Sequence, residues 1–184
     1  MACNISSSIS LPCISAAGGL QGTIYVATDF ELGTVTLAST TGATPQQVTA
    51  ATGDDGAFFE FQVAKNTASF TENAVVSNEA GTLYFEQALT INLQVMDAQK
   101  RYELLLLAQN RKISAFFEDQ QGRWWLMGAV RGGVVTQNNA QSGVNLADLN
   151  GYNLIITSQE LQPAYNLAGA PSGIFTGCTF TAAS

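Results

Sequence analysis

Residues 82–95 read TLYFEQALTINLQV, and this stretch decides the fold class. Its apolar residues recur at a period of two, and they are Leu83, Phe85, Leu89, Ile91, Leu93 and Val95. The positions between them carry mostly hydroxyl, amide and carboxylate side chains. A period of two is that of a strand which buries one face and leaves the other in water. The stretch therefore predicts a long, half-buried strand.

The period changes directly after this strand. Residues 97–110 read DAQKRYELLLLAQN, which are mostly good helix formers. Asp97 is placed to cap the amino end, and Asn110 lies near the carboxyl end. Tyr102, Leu105 and Leu106 fall at helical spacing and predict the apolar face. The stretch indicates one helix of about three turns.

Further strand patterns lie on both sides of this pair. They cover residues 23–28, 34–39, 47–50, 58–63, 68–73, 75–78, 111–118, 123–130, 134–136 and 152–157. Turn signals separate several of them, and the polar stretch 137–145 predicts a loop. Strands and helices do not alternate, which argues against a doubly wound parallel sheet. The pattern predicts a mainly β fold, a β-barrel or β-sandwich of antiparallel strands with one flanking α-helix at about residues 97–110.

The chain length predicts one domain, residues 23–165, between an N-terminal arm at residues 1–22 and a C-terminal arm at residues 166–184. Both arms are rich in small, uncharged residues, which seldom build a core of their own. They also carry apolar residues such as Ile9, Leu11 and Ile174. Two interpretations stay open, namely arms that become ordered on a neighbouring subunit and frayed chain ends.

The composition excludes several classes of function. The chain has 184 residues, no histidine and a formal net charge of -7. Without histidine there is neither Ser-His-Asp nor Cys-His catalysis, and there is no imidazole ligand for a metal. A net negative charge argues against holding nucleic acid by its phosphates, which requires clustered Lys and Arg. Only 11% of the residues are charged, which suits a surface that neighbouring subunits largely cover.

The cysteines and the apolar runs add few constraints. Cys3, Cys13 and Cys178 lie near the two ends, and an odd, widely spaced set predicts neither a disulfide framework nor a zinc site. Reduced thiols fit synthesis in a cytoplasm. The first residues do not read as a signal peptide, and the longest apolar run, Leu104–Ala108, is too short to span a membrane. We expect no membrane association.

Few residues are arranged for chemistry. Asp54 and Asp55 stand between two glycines, but the spaced oxygen ligands of a calcium loop are missing. Glu60, Glu86 and Glu118 lie on the faces of predicted strands that we expect to be solvated, so no acid and base pair can be named. The glycine pairs match no nucleotide-binding motif. The sequence therefore predicts no catalytic residue, no metal and no cofactor, and hence a protein that is not an enzyme.

Trp124 and Trp125 allow two interpretations. Adjacent tryptophans can stack on a sugar or a base, but more often one ring of such a pair lies in the core and the other at a contact surface. We favour a core or subunit contact here.

Charge is distributed unevenly along the chain. Six of the seven basic residues lie within residues 100–131, whereas residues 1–96 hold one lysine and eight acids. An ordinary solvated surface is one explanation. The other is self-complementarity, in which the acidic face of one copy meets the basic region of the next and the contacts close into a ring. The subunit-interface residues predicted on this basis are Lys100, Arg101, Arg123 and Arg131, and the tryptophan pair adds Trp124 to them.

Several short motifs carry a resemblance to a known family. They are MACN at residues 1–4, FEQALT at 85–90, LLAQNR at 106–111, D-x-x-G-x-x-W-x-x-G at 119–128, DLNGY at 148–152 and PAY at 163–165. Together they resemble small virion structural proteins of tailed bacteriophages, especially phages of Bacteroidota, and among these the tail tube proteins. The likeness covers about residues 80–165, and its motifs are packing and turn motifs.

The resemblance implies a structural role in a virion. Tail tube proteins have a β-barrel or sandwich with a flanking helix, and six copies form a ring whose sheets line a channel. The partners implied are further copies of the chain and other virion proteins, while genomic DNA passes without specific binding. Glu60, Glu72 and Glu86 are the expected channel-lining residues, because an acidic lining repels phosphate. The protein would be made in the bacterial host cytoplasm and reside in the virion.

Two rivals remain beside the tail tube. One is a head auxiliary, decoration or connector ring protein of the same kind of virion. The other is a monomeric carbohydrate-binding β-sandwich that uses Trp124 and Trp125.

Overall fold

A computed structural model describes residues 17–37, 47–54 and 56–183. Within them the chain forms thirteen strands and two helices. The strands are β1 Leu20–Thr28, β2 Glu31–Leu37, β3 Gln47–Asp54, β4 Ala57–Gln62, β5 Ala68–Ser77, β6 Thr82–Gln94, β7 Ile113–Asp119, β8 Trp124–Met127, β9 Gly133–Gln141, β10 Gly151–Glu160, β11 Tyr165–Leu167, β12 Phe175–Thr176 and β13 Thr179–Thr181. The helices are α1 Ala98–Gln109 and α2 Pro171–Ile174. The prediction of a mainly β fold with a flanking helix is confirmed.

Four strands at the centre, β1, β4, β7 and β8, separate two hydrophobic clusters. In β7, Ile113, Ala115 and Phe117 belong to the first cluster, while Phe116 belongs to the second. Successive side chains of a strand point to opposite faces, so this strand is buried on both sides. Even Ser114 is buried, and its hydroxyl donates to the Gly128 carbonyl at 2.6 Å. The central strands thus form the common wall of two packed layers.

One of these layers is a four-stranded antiparallel sheet in the order β5-β6-β10-β9. Leu89 in β6 stands between Phe70 in β5 and Ile156 in β10. Their inward side chains form the first cluster together with Leu104 and Leu107 of α1. The opposite layer contains β2, β3, β11 and β12 and encloses the second cluster. We call the first of these layers the outer sheet.

Helix α1 presents a different face to the core from the one that the sequence predicted. Leu104 and Leu107 are buried, whereas Tyr102, Leu105 and Leu106 are exposed. The four consecutive leucines at residues 104–107 point to all sides of the helix. Helical spacing alone therefore does not show which of them are buried. Asp97 occupies the N-cap position, but its side chain makes no capping hydrogen bond.

The C-terminal segment packs on its own chain in the structure. Strands β11 and β12 pair in parallel with β3, and β13 pairs in parallel with β4. These short pairings add parallel geometry to a sheet whose main strands are antiparallel. Ile174 and Phe175 are buried in the second cluster. Residues 1–16 of the expected N-terminal arm lie outside the described residues, and contact of either arm with a neighbouring subunit stays a prediction.

Strand β9 extends through part of the predicted loop at residues 137–145. It continues to Gln141 and pairs along its length with β10, with an irregularity of register near Ile155. Residues 137–141 carry no large apolar side chain, because one of their faces is solvated and the other lies beside α1. All five of these residues are exposed, so this part of β9 shows no apolar alternation from which a strand could be predicted.

Candidate functional site

The solvent-facing side of the outer sheet is polar and almost uncharged. The register of its four strands places sixteen hydroxyl, amide and carboxylate side chains on this side, together with the apolar Val75, Ala88, Val134 and Ile155. The sixteen are Ser69, Thr71, Asn73, Ser77, Thr82, Tyr84, Glu86, Thr90, Asn92, Gln94, Gln137, Asn139, Gln141, Asn153, Thr157 and Gln159. Neighbouring amides bond across the strands, since Asn153 Nδ2 donates to Asn92 Oδ1 at 2.6 Å. Among the outward positions of β5, β6, β10 and the described part of β9, Glu86 is the one charged residue. We call this surface the polar face.

The outer sheet has two edges whose backbone groups point away from it. Among the described residues, β5 pairs with β6 alone, and β9 pairs with β10 and meets β7 only at Gly133. All three pairings within the sheet are antiparallel, so β5 and β9 run in opposite directions. They have similar lengths, 10 and 9 residues.

The hydrogen-bond pattern shows which residues of β5 face the open edge. Asn92 donates its backbone N–H to the Thr67 carbonyl at 3.0 Å, so these two residues form a hydrogen-bonded pair. Such pairs alternate with non-bonded pairs along an antiparallel ladder. It follows that Ala68, Phe70, Glu72, Ala74 and Val76 direct their backbone N–H and C=O groups away from β6. An edge of this kind is a ready acceptor for another strand.

The three glutamates that were expected to line a channel do not share one face. Glu86 lies on the polar face, where Tyr84 and Gln159 each donate to its Oε1 at 3.3 Å. Glu72 stands opposite Gln87 in the register and so points to the other side of the sheet. Glu60 lies on β4, where its Oε2 accepts the Ala183 N–H at 2.9 Å.

The predicted interface residues fall in three separate places. Lys100 donates to the carbonyls of Gln94 and Val95 at the end of β6, and Arg101 lies exposed on α1. Arg123 belongs to the turn between β7 and β8. Arg131 lies at the far end of the outer sheet, beside Glu160. They therefore do not form one basic patch within a single copy.

The turn between β7 and β8 is held by the carboxylate of Asp119. Its Oδ2 accepts from Arg123 Nε at 2.9 Å and from Trp125 Nε1 at 3.2 Å, and its Oδ1 accepts the Gln121 and Arg123 backbone N–H groups. Burial raises the pKa of Asp119, but these hydrogen bonds together outweigh it, so that the pKa lies below its ordinary value. Arg123 and Trp125 thus both bond to a side chain of their own copy.

The two tryptophans pack into different clusters. Trp124 is half-buried against the second cluster and stacks on Tyr25 with ring centroids 6.0 Å apart. Trp125 is half-buried against the first cluster. Their rings point to opposite sides of β8 and do not form a common platform.

A buried polar network, which no sequence motif indicated, holds the loops at one end of the outer sheet. Glu160 is buried, and its Oε1 accepts the backbone N–H groups of Val130, Arg131 and Gly132 at 3.1, 2.8 and 3.3 Å. Three successive amides around one oxygen form an anion-binding nest. The nest fixes residues 130–132 in place without an ion pair.

A second part of the network centres on Gln87. Its Oε1 accepts the Gly128 N–H at 3.1 Å, and its Nε2 donates to Glu72 Oε2 at 3.1 Å. Glu72 also accepts the Ala164 N–H at 2.7 Å. Gln87 and Glu160 both stand at inward positions of an alternating strand, in line with Leu89 and Ile156. The sequence did contain a signal for both residues, because each is a polar residue at a position where the period-two pattern of its strand predicts a buried apolar one.

The remaining sequence features are the cysteines, the acidic turn at Asp54 and Asp55, and the predicted absence of metal sites and membrane spans. Cys178 packs against the second cluster, and burial raises the pKa of its thiol. Cys3, Cys13 and Asp55 lie outside the described residues. Within residues 17–37, 47–54 and 56–183, no group of His, Cys, Asp and Glu side chains is arranged to hold a metal ion. Neither helix of the described chain has the length and apolar composition needed to cross a membrane.

The polar face with its two open edges is therefore the feature that carries the functional argument. Comparisons of the chain with protein-family models, with curated proteins and with solved structures find no match.

Proposed function

We propose that this chain is a non-enzymatic structural subunit that assembles with its own copies into a ring around a channel. The observation that carries the proposal is the outer sheet, which has two open edges of opposite direction and one polar, nearly uncharged face. In the fuller form of the proposal the ring has six copies and belongs to the tail tube of a tailed bacteriophage. The number of copies in the ring and the assignment to a virion rest on the sequence resemblance alone.

The topology of the outer sheet supports ring closure. When copies stand side by side in the same orientation, the β9 edge of one meets the β5 edge of the next. Because these edges run in opposite directions, the new pairing is antiparallel and continues the pattern within each copy. Heterologous contacts of this kind close into a ring when the rotation from one copy to the next divides a full turn and carries no translation along the axis. Closure would also remove the exposed strand edges that otherwise promote aggregation.

The chemistry of the polar face supports its role as a channel lining. In a closed ring, pairing keeps all polar faces on one side of the sheet. Clustered Lys and Arg hold DNA through its phosphates, and the polar face has neither, with Glu86 as its one charge. The chain as a whole has a net charge of -7. Such a wall would repel a polyanion weakly and let it slide.

The rival functions use the same surface differently. A connector or head protein would also form rings, but it would stop at one or two of them, whereas a tail tube subunit stacks rings into tubes. A glycan-binding module would act as a monomer. It would use the amides of the polar face, because Trp124 and Trp125 pack into separate clusters.

The decisive experiment compares two substitutions at Ala74, an exposed residue of β5. Ala74→Pro removes an N–H group that points away from β6, and proline is tolerated on an edge strand in this position. Ala74→Thr keeps the N–H group and introduces a residue that favours strands. We expect rings from the wild type and from Ala74→Thr in mass photometry and negative-stain micrographs, and folded monomers from Ala74→Pro.

The same measurements can overturn the proposal. A wild-type protein that stays monomeric at every concentration would exclude ring assembly. Rings of unchanged size from Ala74→Pro, with the fold verified by circular dichroism, would exclude pairing through the β5 edge. Monomers that bind glycan arrays would favour the carbohydrate-binding module.

A further inference from the structure

The loop between β9 and β10 displays two large apolar side chains to solvent. Val144 and Leu146 have relative exposures of 96% and 109%, so neither contacts the core. The loop around them is nevertheless ordered by Asp148, whose Oδ2 accepts the backbone N–H groups of Val144 and Asn145, each at 2.8 Å. These hydrogen bonds also lower the pKa of Asp148, so the carboxylate is charged at neutral pH. We call residues 142–149 the plug loop.

A cavity of about 220 Å³ lies at the other end of the outer sheet, and its lining combines apolar residues with Gln87, Arg131, Glu160 and Gln162. Leu126 and Ala129 line it as buried residues, while Val130 and Leu161 line it with exposures of 59% and 56%. A volume of about 150 Å³ accommodates a benzene molecule, so this cavity has room for a leucine side chain. We call it the socket.

The buried network described above holds the socket open. Glu160 fixes the backbone of residues 130–132, and Glu72 fixes Ala164, which stands between the lining residues Pro163 and Tyr165. The socket is therefore a preformed cavity with anchored walls.

The plug loop and the socket lie too far apart to meet within one copy. Strand β10 begins at Gly151, next to the plug loop, and ends at Glu160 in the socket. Its ten residues span about 30 Å at roughly 3.3 Å per residue. The two surfaces therefore lie at opposite ends of the same strand, which is the arrangement that joins copies end to end.

We propose that Val144 and Leu146 of one copy enter the socket of the next copy along the strand axis, and that this contact stacks one ring on another. The proposal rests on ring assembly as proposed above and assigns the residues that extend it into a tube. The charges are complementary, since the plug loop carries Asp148 as its only charged residue and Arg131 lies exposed at the socket. The buried Glu160 carboxylate is already engaged by backbone amides.

One plug in one socket buries too little surface to hold two monomers together. In a ring the same contact is repeated by every copy at once, and linked contacts gain affinity without new interactions. Stacking therefore depends on ring closure, whereas ring closure does not depend on stacking.

The test uses two variants that each disable one side of the contact. Leu146→Glu introduces a charge into the plug loop, and Leu161→Glu introduces one at the rim of the socket. Ser142→Glu is the matched control, because it adds the same charge to the plug loop and leaves both apolar side chains in place. Ring size is measured by mass photometry and tube length by negative-stain microscopy.

We expect both variants to form rings of wild-type size. Their mean tube length should fall by at least about tenfold, whereas Ser142→Glu should keep the wild-type tube length. An equal mixture of the two variants should give pairs of rings and nothing longer. The Leu161→Glu rings keep an intact plug loop and the Leu146→Glu rings keep an intact socket, so that only one productive contact exists.

The remaining outcomes overturn the inference. Tubes of normal length from Leu146→Glu would exclude the stacking role assigned to the plug loop, and they would leave the proposal of ring assembly unaffected. Loss of rings in that variant would place Leu146 in a lateral contact instead. A wild-type protein without rings would remove both the proposed function and the stacking that depends on it.

Discussion

At the residue scale, the side chain of Glu160 shows how a buried charge is stabilised without a counter-ion. Its carboxylate lies in the nest of three backbone N–H groups from residues 130–132. Hydrogen bonds to a charged acceptor are about twice as strong as neutral ones. The cost of burying the charge is met by the backbone, which leaves Arg131 exposed and available for contacts.

Replacement of this carboxylate gives the first prediction. Glu160→Gln keeps an acceptor oxygen but removes the charge from the nest, so the free energy of unfolding should fall by about 1–3 kcal/mol. Urea denaturation in the Ala74→Pro background measures this without a contribution from assembly. Glu86→Gln is the matched control on the exposed polar face and should stay within about 0.5 kcal/mol of its parent. Equal effects of the two substitutions would contradict the role assigned to the nest.

At the element scale, α1 has one buried apolar stripe and one exposed one. Leu104→Ala should lower the free energy of unfolding by about 2–5 kcal/mol, because it leaves a cavity in the first cluster. Leu105→Ala removes the same atoms from an exposed position and should change it by less than about 0.5 kcal/mol. Urea denaturation of both variants in the Ala74→Pro background compares them. A larger loss in Leu105→Ala would restore the helix face that the sequence predicted.

The same helix shows where sequence reasoning works and where it fails. The change of period after Val95 marks the end of β6 and the start of α1 to within a few residues. The choice of buried face fails because residues 104–107 are all leucine. Burial there depends on which way α1 lies against β9, and that is a long-range property of the fold.

Strand β9 and the C-terminal strands fail for a related reason. The second half of β9 is polar, and β11, β12 and β13 are only two or three residues long, so none of them shows a strand period. Their pairing partners can also lie far away in sequence, as with Asn166 in β11 beside Gln47 in β3. The polar face was partly visible in the polar positions of residues 82–95. Its extent and the open edges of the sheet depend on register and topology, which a single sequence does not display.

At the scale of the whole molecule, the wall of the proposed channel differs in charge from the rest of the chain. The chain has twice as many acids as bases, 14 against 7, yet the polar face shows a single carboxylate. Its amides can bond to one another across the strands, as Asn153 does to Asn92. A channel wall of this kind lacks fixed cations that would trap phosphates, and it lacks a dense negative charge that would exclude DNA altogether.

This balance yields the last prediction. Wild-type assemblies should not retain linear duplex DNA in filter binding at low salt, because no lysine or arginine lies on the polar face. The triple variant Thr90→Lys, Asn92→Lys and Thr157→Lys should retain it, with an affinity that falls on a log–log plot with a slope of about −0.9 per phosphate neutralised. Lysines at Gln99, Gln109 and Ala168, which are exposed elsewhere, add the same charge without forming a cluster on that face. Salt-dependent DNA retention by the wild type would contradict a wall that lets a polyanion slide, because sliding requires that each phosphate leave its position as readily as it arrived.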